Sequence, residues 1–312
     1  MVKTAVLMAT YNGQDFITEQ LDSIRQQTLK PDYVLMRDDC STDATVKVVT
    51  DYIANHQLEG WSIVRNDTNL NWRRNFRELL KDALDLEVDY VFFSDQDDTW
   101  YLDKNESQVY QMEKNPSIDV LSGDIDVITL GEGATVPDNF QFADNMSELS
   151  KYPFDMSYHN YRQGWTFCIR KTFVSQVMEH YSDQLVLSHD NLMTGISGVL
   201  GSGYNLNRPV GLHKRHGGNA SGNLLNLKSS RDHHLQDLTF VASYYRILVG
   251  VLHQKSDDNL DLAACYQAFA QKRLENAQNR RWLATLKQII TQKPFYDSFS
   301  NRMRDLVFLT KK

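Results

Sequence analysis

Residues Asp95-Gln96-Asp97-Asp98 place three carboxylates within four positions, directly after the apolar and aromatic run Tyr90-Val91-Phe92-Phe93. Two carboxylates at i and i+2 beyond a strand can turn toward one ion. They leave coordination positions for phosphate oxygens and water, and hard oxygen donors of this kind suit Mg2+ or Mn2+ rather than zinc. A capped loop is the plainer alternative, because aspartate is common after strands. A second acidic cluster, Asp38-Asp39-Cys40-Ser41-Thr42-Asp43, follows Tyr33-Val34-Leu35-Met36. An acidic residue there can accept a hydrogen bond from a ribose or a base N–H. Ser41 or Thr42 also reads as the N-cap of a following helix. The third candidate is Asp190, which stands after Ser188 and ahead of an apolar run. A helix N-terminus favours an anion at that place, which suits a general base and a capping carboxylate equally.

Elements of a regular kind must hold these groups. Val6-Leu7-Met8-Ala9, Tyr33–Met36, Trp61-Ser62-Ile63-Val64 and Tyr90–Phe93 read as four buried strands. Between them the apolar sets Ile17, Leu21, Ile24; Val46, Val49, Ile53; and Phe76, Leu79, Leu80, Ala83 recur at helical spacing. Repeated strand–helix units build a parallel sheet with right-handed crossovers. Ligands then bind beyond the carboxyl ends of the strands, where the strand order switches. The alternation fades after Val120-Leu121, and residues 131–160 read as a long irregular insertion. More elements follow from Gly164 to His216, and from about Arg231 the pattern is helical to the end. Gly198-Val199-Leu200-Gly201-Ser202-Gly203 follows a helix, so it is a C-cap turn and not a dinucleotide loop. His213, His233 and His234 lack metal-ligand spacing and read as surface or packing residues.

The chain has 312 residues, 41% of them apolar and 23% charged, which suits one large α/β domain with or without an appendage. A net charge of −7 argues against a dedicated nucleic-acid binder. Three widely spaced cysteines make neither a zinc cluster nor a disulfide framework and point to a reducing cytosol. The short apolar start is not a signal peptide, and no run is long enough to span a membrane, so a cytoplasmic location is expected. Charge is nevertheless uneven, since residues 271–312 hold 10 Lys and Arg against 3 Asp and Glu. A basic helix there, with Trp282, Leu286 and Ile289 on its apolar face, fits the inner face of a membrane. Packing within its own domain or in a homodimer fits it as well.

Taken in order, Ala9-Thr10-Tyr11-Asn12-Gly13, the Asp38–Asp43 cluster and Ser94-Asp95-Gln96-Asp97-Asp98-Thr99-Trp100 resemble the family 2 glycosyltransferases. The Ser-Asp-Gln-Asp-Asp-x-Trp form, with Lys214-Arg215-His216-Gly217-Gly218-Asn219 later, is most similar to bacterial rhamnosyltransferases of cell-wall polysaccharide synthesis. The resemblance covers roughly residues 3–222. It implies a GT-A fold, a Rossmann-like and mostly parallel sheet flanked by helices. A glycosyltransferase domain over 1–225 is implied, with a nucleotide-sugar half at about 1–128 and an acceptor half at about 160–225. The helical region 226–312 follows it.

The resemblance also implies roles. Thr10, Tyr11 and Asn12 would line the nucleotide site, with Asp39 on the base; Arg73 and Arg74, by their place in the chain, fit a phosphate contact and a solvated helix face equally. Asp95 and Gln96 would face the donor; Asp95, Asp97 and His216 would hold Mn2+ or Mg2+. Asp190, in His189-Asp190, would deprotonate the acceptor hydroxyl. The implied donor is dTDP-rhamnose or a UDP-sugar, and the implied acceptor is a lipid-linked saccharide. Two departures stand out: Cys40 where many relatives have Gly, and Asn71 where Gly is expected in Asn69-Leu70-Asn71. Asn tolerates left-handed φ, so the second change reads as mild. A rival shares part of the pattern, because Asp95-x-Asp97-x-Thr99 also opens the haloacid-dehalogenase-like phosphohydrolases, with Asp95 as nucleophile. Three strand–helix units precede the motif here, and Ile128 stands where their later Gly-Asp-x-x-x-Asp loop, begun by Gly123-Asp124, needs its second Asp.

Overall fold

A computed structural model describes residues 2–129, 147–181, 187–215 and 230–311. Most of the expected insertion, and His216 with Gly217, Gly218 and Asn219, lie outside the described residues. The chain forms two compact units. The first comprises Met1–Phe154, Tyr161–Glu179 and Ser188–Asn219; the second comprises Asp155–Asn160, His180–Leu187 and Ala220–Lys312.

The first unit is built on one mixed sheet. Its strands are β1 (Thr4–Thr10), β2 (Tyr33–Asp38), β3 (Trp61–Arg65), β4 (Tyr90–Ser94), β5 (Thr99–Trp100), β6 (Val120–Thr129), β7 (Leu149–Lys151), β8 (Cys168–Arg170) and β9 (Gly203–Arg215). They run in the order β3-β2-β1-β4-β8-β6-β9-β5, with β7 on β9. The first four are parallel, and β8 runs antiparallel to both β4 and β6. β1 and β4 carry unbroken apolar or aromatic runs, Ala5–Ala9 and Tyr90–Phe93, because each is covered on both faces. The strand order reverses between them, so the loops after β1 and β4 flank the crevice where such sheets take ligands.

The intervening helices are α1 (Ile17–Arg25), α2 (Thr45–His56) and α3 (Trp72–Leu84); α4 (Lys104–Lys114), α5 (Lys171–Glu179) and α6 (His189–Val199) follow. α3 buries Phe76, Leu79, Leu80 and Ala83 at the expected spacing. α2 starts later than the Ser41 or Thr42 cap implies. Ala44 holds its N-cap position, and the Asp43 carboxylate accepts from the Thr45 N–H at 2.9 Å. α6 ends at Val199 and the chain turns through Gly201 at φ +66°, as the glycine-rich segment implies.

The second unit is helical: α7 (Arg231–Lys255), α8 (Leu260–Gln278), α9 (Trp282–Thr291) and α10 (Phe299–Thr310). Tyr244, Ile247, Leu248 and Val251 of α7 and Phe269 and Ala270 of α8 are buried in it. Arg273 and Asp305 form a buried bidentate pair at 2.6 and 2.8 Å, and Tyr296 donates to the same carboxylate at 3.0 Å. Burial pushes the Asp305 carboxyl up, but Arg273 and His234 outweigh it and hold the group below the ordinary range. His234 is thus a packing residue, as expected.

Both departures from the family pattern fall at special backbone positions. Cys40 has φ +64° and its Sγ donates to the Asn66 carbonyl. Asn71 has φ +69° with ψ +150°, which is not the left-handed helical well where Asn is at ease. Only glycine occupies that region without strain, so the change is not mild. We expect Asn71→Gly to stabilise the fold by about 1 kcal/mol, because relief of strain outweighs a small capping loss. Urea unfolding followed by circular dichroism checks it; an unchanged or lowered midpoint contradicts the strain.

Candidate active site

Backbone groups of the two switch-point loops are pinned by side chains. The Tyr11 N–H donates to Gln96 Oε1 at 2.8 Å, and Gln96 Nε2 donates back to the Tyr11 carbonyl at 2.9 Å. Gln96 is therefore a clamp joining the end of β1 to the end of β4. Gly13 makes room for it, since a Cβ there would lie 2.2 Å from Gln96 Oε1. Asn12, at φ +47°, accepts from the Thr42 N–H at 2.8 Å, and its own N–H donates to Ser41 Oγ at 2.8 Å. The Tyr11–Gln14 and Asp38–Asp43 segments thus form one hydrogen-bonded rim.

Positions expected to line a nucleotide site divide accordingly. Thr10 is buried and donates to Asp38 Oδ1 at 3.1 Å, so it ties strand ends together rather than facing the crevice. Tyr11 is half-exposed on the rim. Asp39 is buried, and its Oδ1 accepts from Leu70 N at 2.6 Å and Asn66 Nδ2 at 3.1 Å. Arg74 is exposed in the first turn of α3 and has no hydrogen bond or ion pair among the described residues. Nothing draws it to the rim.

The acidic loop itself is crowded. Desolvation, then the charges of Asp98, Asp97 and Asp190, hold the Asp95 carboxyl well above its ordinary range. Burial pushes Asp98 up to about 6, against the pull of His213, whose Nδ1 lies 2.6 Å from Asp98 Oδ1. His213, expected as a surface or packing residue, is neither; it sits on β9 as the partner of the loop's most buried carboxylate. Tyr161 was also missed. Desolvation and then the charges of Asp190, Asp95 and Asp98 raise its phenol, so it lies within electrostatic reach of the same carboxylates.

Asp190 reaches that centre from the first turn of α6. His189 Nε2 lies 2.8 Å from Asp190 Oδ1, though not in line for a hydrogen bond. The imidazole is held by Phe76 of α3 at 3.8 Å between ring centroids and by Phe93 of β4 at 4.8 Å. Gly164 faces the pair: a Cβ there would lie 2.1 Å from Asp190 Oδ1 and 2.5 Å from His189 Nε2. Ser188, at the N-cap, makes no side-chain cap, so Asp190 is not relieved of a capping task by its neighbour.

A hard divalent cation suits these donors in kind. Mutual repulsion in the acidic loop, expressed in the raised Asp95, is what such an ion would relieve. Among the described residues no group of three His, Cys, Asp or Glu side chains is spaced to hold one. Asp95 and Asp97 are two of the expected ligands, and His216, the third, lies outside the described residues.

Comparison with known proteins agrees with the sheet and its loops. Residues 5–177, more than half the chain, match Glycosyl transferase family 2. The chain belongs to this family.

Among the family's curated members, the chain is 43% identical over 102 residues to dTDP-rhamnosyl transferase RfbG of Shigella flexneri, covering 31% of this chain and 34% of that protein. It is 36% identical over 106 residues to poly(ribitol-phosphate) beta-N-acetylglucosaminyltransferase TarS of Staphylococcus aureus, 33% of this chain and 17% of TarS. These alignments span a third of the relatives' length or less. The crystal structure of S. aureus TarS 1-349 in complex with UDP-GlcNAc superposes with a TM-score of 0.59 at 19% identity, covering 97% of this chain and 90% of that one. That likeness shows a GT-A-like fold with a helical C-terminal region. With family membership the phosphohydrolase alternative falls; Asp95 follows the fourth strand of a glycosyltransferase sheet.

Lys104, at the start of α4, is a buried amine in this family member. Its ammonium is fully buried over the rings of Trp100 at 4.0 Å and Phe92 at 4.5 Å, and it has no hydrogen-bond acceptor. Burial drives its pKa down to about 7, while the two ring faces favour the charged form. Below pH 7 the amine is protonated folded and unfolded alike, and the fold carries the full burial penalty. Between about 7 and about 10 the unfolded chain binds the extra proton, so stability rises with pH. Lys104→Met should remove that rise and be more stable than the parent, most of all at pH 7 and below. Denaturation midpoints from pH 6 to 10 check it; parallel curves for the two proteins contradict the buried amine's role.

Proposed function

We propose that the chain is an inverting, metal-dependent glycosyltransferase that extends a bacterial cell-surface polysaccharide or its lipid-linked precursor. One observation carries the reading: beyond the switch between β1 and β4 the charge of Asp190 acts on Asp95, and Gly164 leaves room for the Asp190 carboxylate beside His189. The donor would be dTDP-rhamnose, a choice favoured by the 43% identity to a dTDP-rhamnosyl transferase. A UDP-sugar is the second reading, favoured by the fold shared with a protein crystallised with UDP-GlcNAc. The reaction would take place in the cytoplasm, at the inner membrane face where a lipid-borne acceptor is presented. No helix among the described residues is long and apolar enough to cross a membrane.

Inversion needs a single in-line displacement at the anomeric carbon. The acceptor oxygen forms the new glycosidic bond as the bond to the nucleoside diphosphate breaks. Asp190 takes the hydroxyl proton, and one base suffices because the diphosphate leaves as an anion. His189, fixed by Phe76 and Phe93, orients that carboxylate. The rim built by Gln96, Asn12 and Ser41 positions the nucleoside, with Asp39 at the base. Asp95, Asp97 and His216 would hold Mn2+ or Mg2+, which when bound supplies charge neutralisation for the diphosphate.

Thermal shifts with a panel of nucleoside diphosphates, with and without Mn2+, test the reading. Stabilisation by dTDP over UDP selects the first donor, and no stabilisation by any member defeats both. Asp97→Asn should abolish the metal-dependent part of that shift while leaving the unliganded melting temperature within a few degrees. Asp190→Asn should retain the shift and slow transfer by about 100-fold to 10,000-fold, the usual range for a lost general base. A near-normal transfer rate would show that Asp190 acts only at the helix start.

A further inference from the structure

α9 is built inside out. A helix on a protein surface ordinarily turns its apolar stripe to the core. Here the buried side chains are Thr285 and Gln288. Gln288 donates to the Phe269 carbonyl at 3.0 Å and accepts from Asn276 Nδ2 at 2.9 Å, so polar bonds fasten α9 to α8. The large apolar residues face outward: Trp282 is 47% exposed, Leu283 85%, Leu286 45% and Ile290 70%. Ile289, expected on this face, is instead half-buried. The neighbouring helix α10 adds a stripe at i, i+4 and i+8, with Phe299, Met303 and Val307 all exposed. Contiguous exposed apolar surface of this kind marks an interaction site.

Charge identifies the occupant. Between Asn276 and Tyr296 the chain has Arg280, Arg281, Lys287 and Lys293 and no Asp or Glu. All four are exposed, whereas Arg273 and Arg304 of the same basic region are buried inside the unit. Among the described residues, Arg281 alone of these four has an acidic partner, Glu275. A second copy docked face to face would set these cations against their own equivalents. A surface bearing lipid phosphates would meet them with opposite charge, while leucine, isoleucine and tryptophan enter the acyl boundary.

We infer that the outward face of α9, continued by α10, docks this protein reversibly on an anionic lipid surface. The inference deepens the proposed membrane-side placement of the acceptor, yet its test uses neither donor nor acceptor. Purified full-length protein is sedimented with vesicles of phosphatidylglycerol and phosphatidylcholine, and with phosphatidylcholine alone, at low and high salt. Binding is expected to the anionic vesicles at low salt, with release as salt screens the cations. Leu283→Glu with Ile290→Glu changes two exposed positions and should lower the bound fraction at least about tenfold. Arg280→Gln with Lys287→Gln should weaken binding and flatten its salt dependence. The thermal shift by nucleotide should stay at the parental value in both variants, so a failed donor reading and a failed docking reading are told apart. Absence of binding at low salt overturns the inference, as does equal binding by the Leu283→Glu, Ile290→Glu variant. A dimer in analytical ultracentrifugation that this variant abolishes, without vesicle binding by the parent, assigns the face to a second copy instead.

Discussion

Like charges held close in a partly dried loop are the constraint around which the first unit is arranged. Asp95, Asp97 and Asp98 cannot separate, because they are covalent neighbours at the end of a buried strand, and Asp190 is brought against them from another helix. Each neighbour of the loop answers that repulsion. His213 takes one carboxylate at 2.6 Å, and Tyr161 offers a phenol that stays protonated within electrostatic reach of the others.

Such a loop would splay if its backbone were loose. Gln96 prevents this by spending both ends of its amide on the Tyr11 peptide, joining two strand ends that are 85 residues apart in sequence. Asn12, Ser41, Thr42 and Asp43 extend the same tie around the rim. Several residues that look like ligand contacts by position are therefore scaffold. Thr10 and Gln96 hold the backbone of the strand ends, and the groups left to face the crevice are the rim's exposed ones and the acidic loop.

Much of this was legible in the chain. Four apolar runs, each ending in a polar or acidic turn, dictate the parallel half of the sheet, and the helical spacing of Phe76, Leu79, Leu80 and Ala83 is kept in α3. Asp190 stands at a helix start, as Ser188 and the apolar run after it imply. The missing parts share one physical trait: their partners are remote. His213 meets a residue 115 positions away, on a strand whose alternation is broken by Pro209 and by a register shift against β6. Tyr161 sits in an irregular stretch with no period to orient it. In α9 the pattern was visible, but apolar spacing tells only that a helix has two faces; Gln288 and Thr285 decide which one turns inward.

Gly164 contributes no functional group, yet it adjoins both His189 and Asp190 at distances no side chain could share. The position of the Asp190 carboxylate is thereby governed by an empty volume on a separate segment, the short turn Gly164–Thr166. An added methyl would displace the carboxylate, since the imidazole behind it is wedged among aromatic rings and cannot retreat. Any substitution at Gly164 therefore reaches His189 and Asp190 together. At this one position the smallest residue is a spacer of zero length, and the Asp190 carboxylate is set against it.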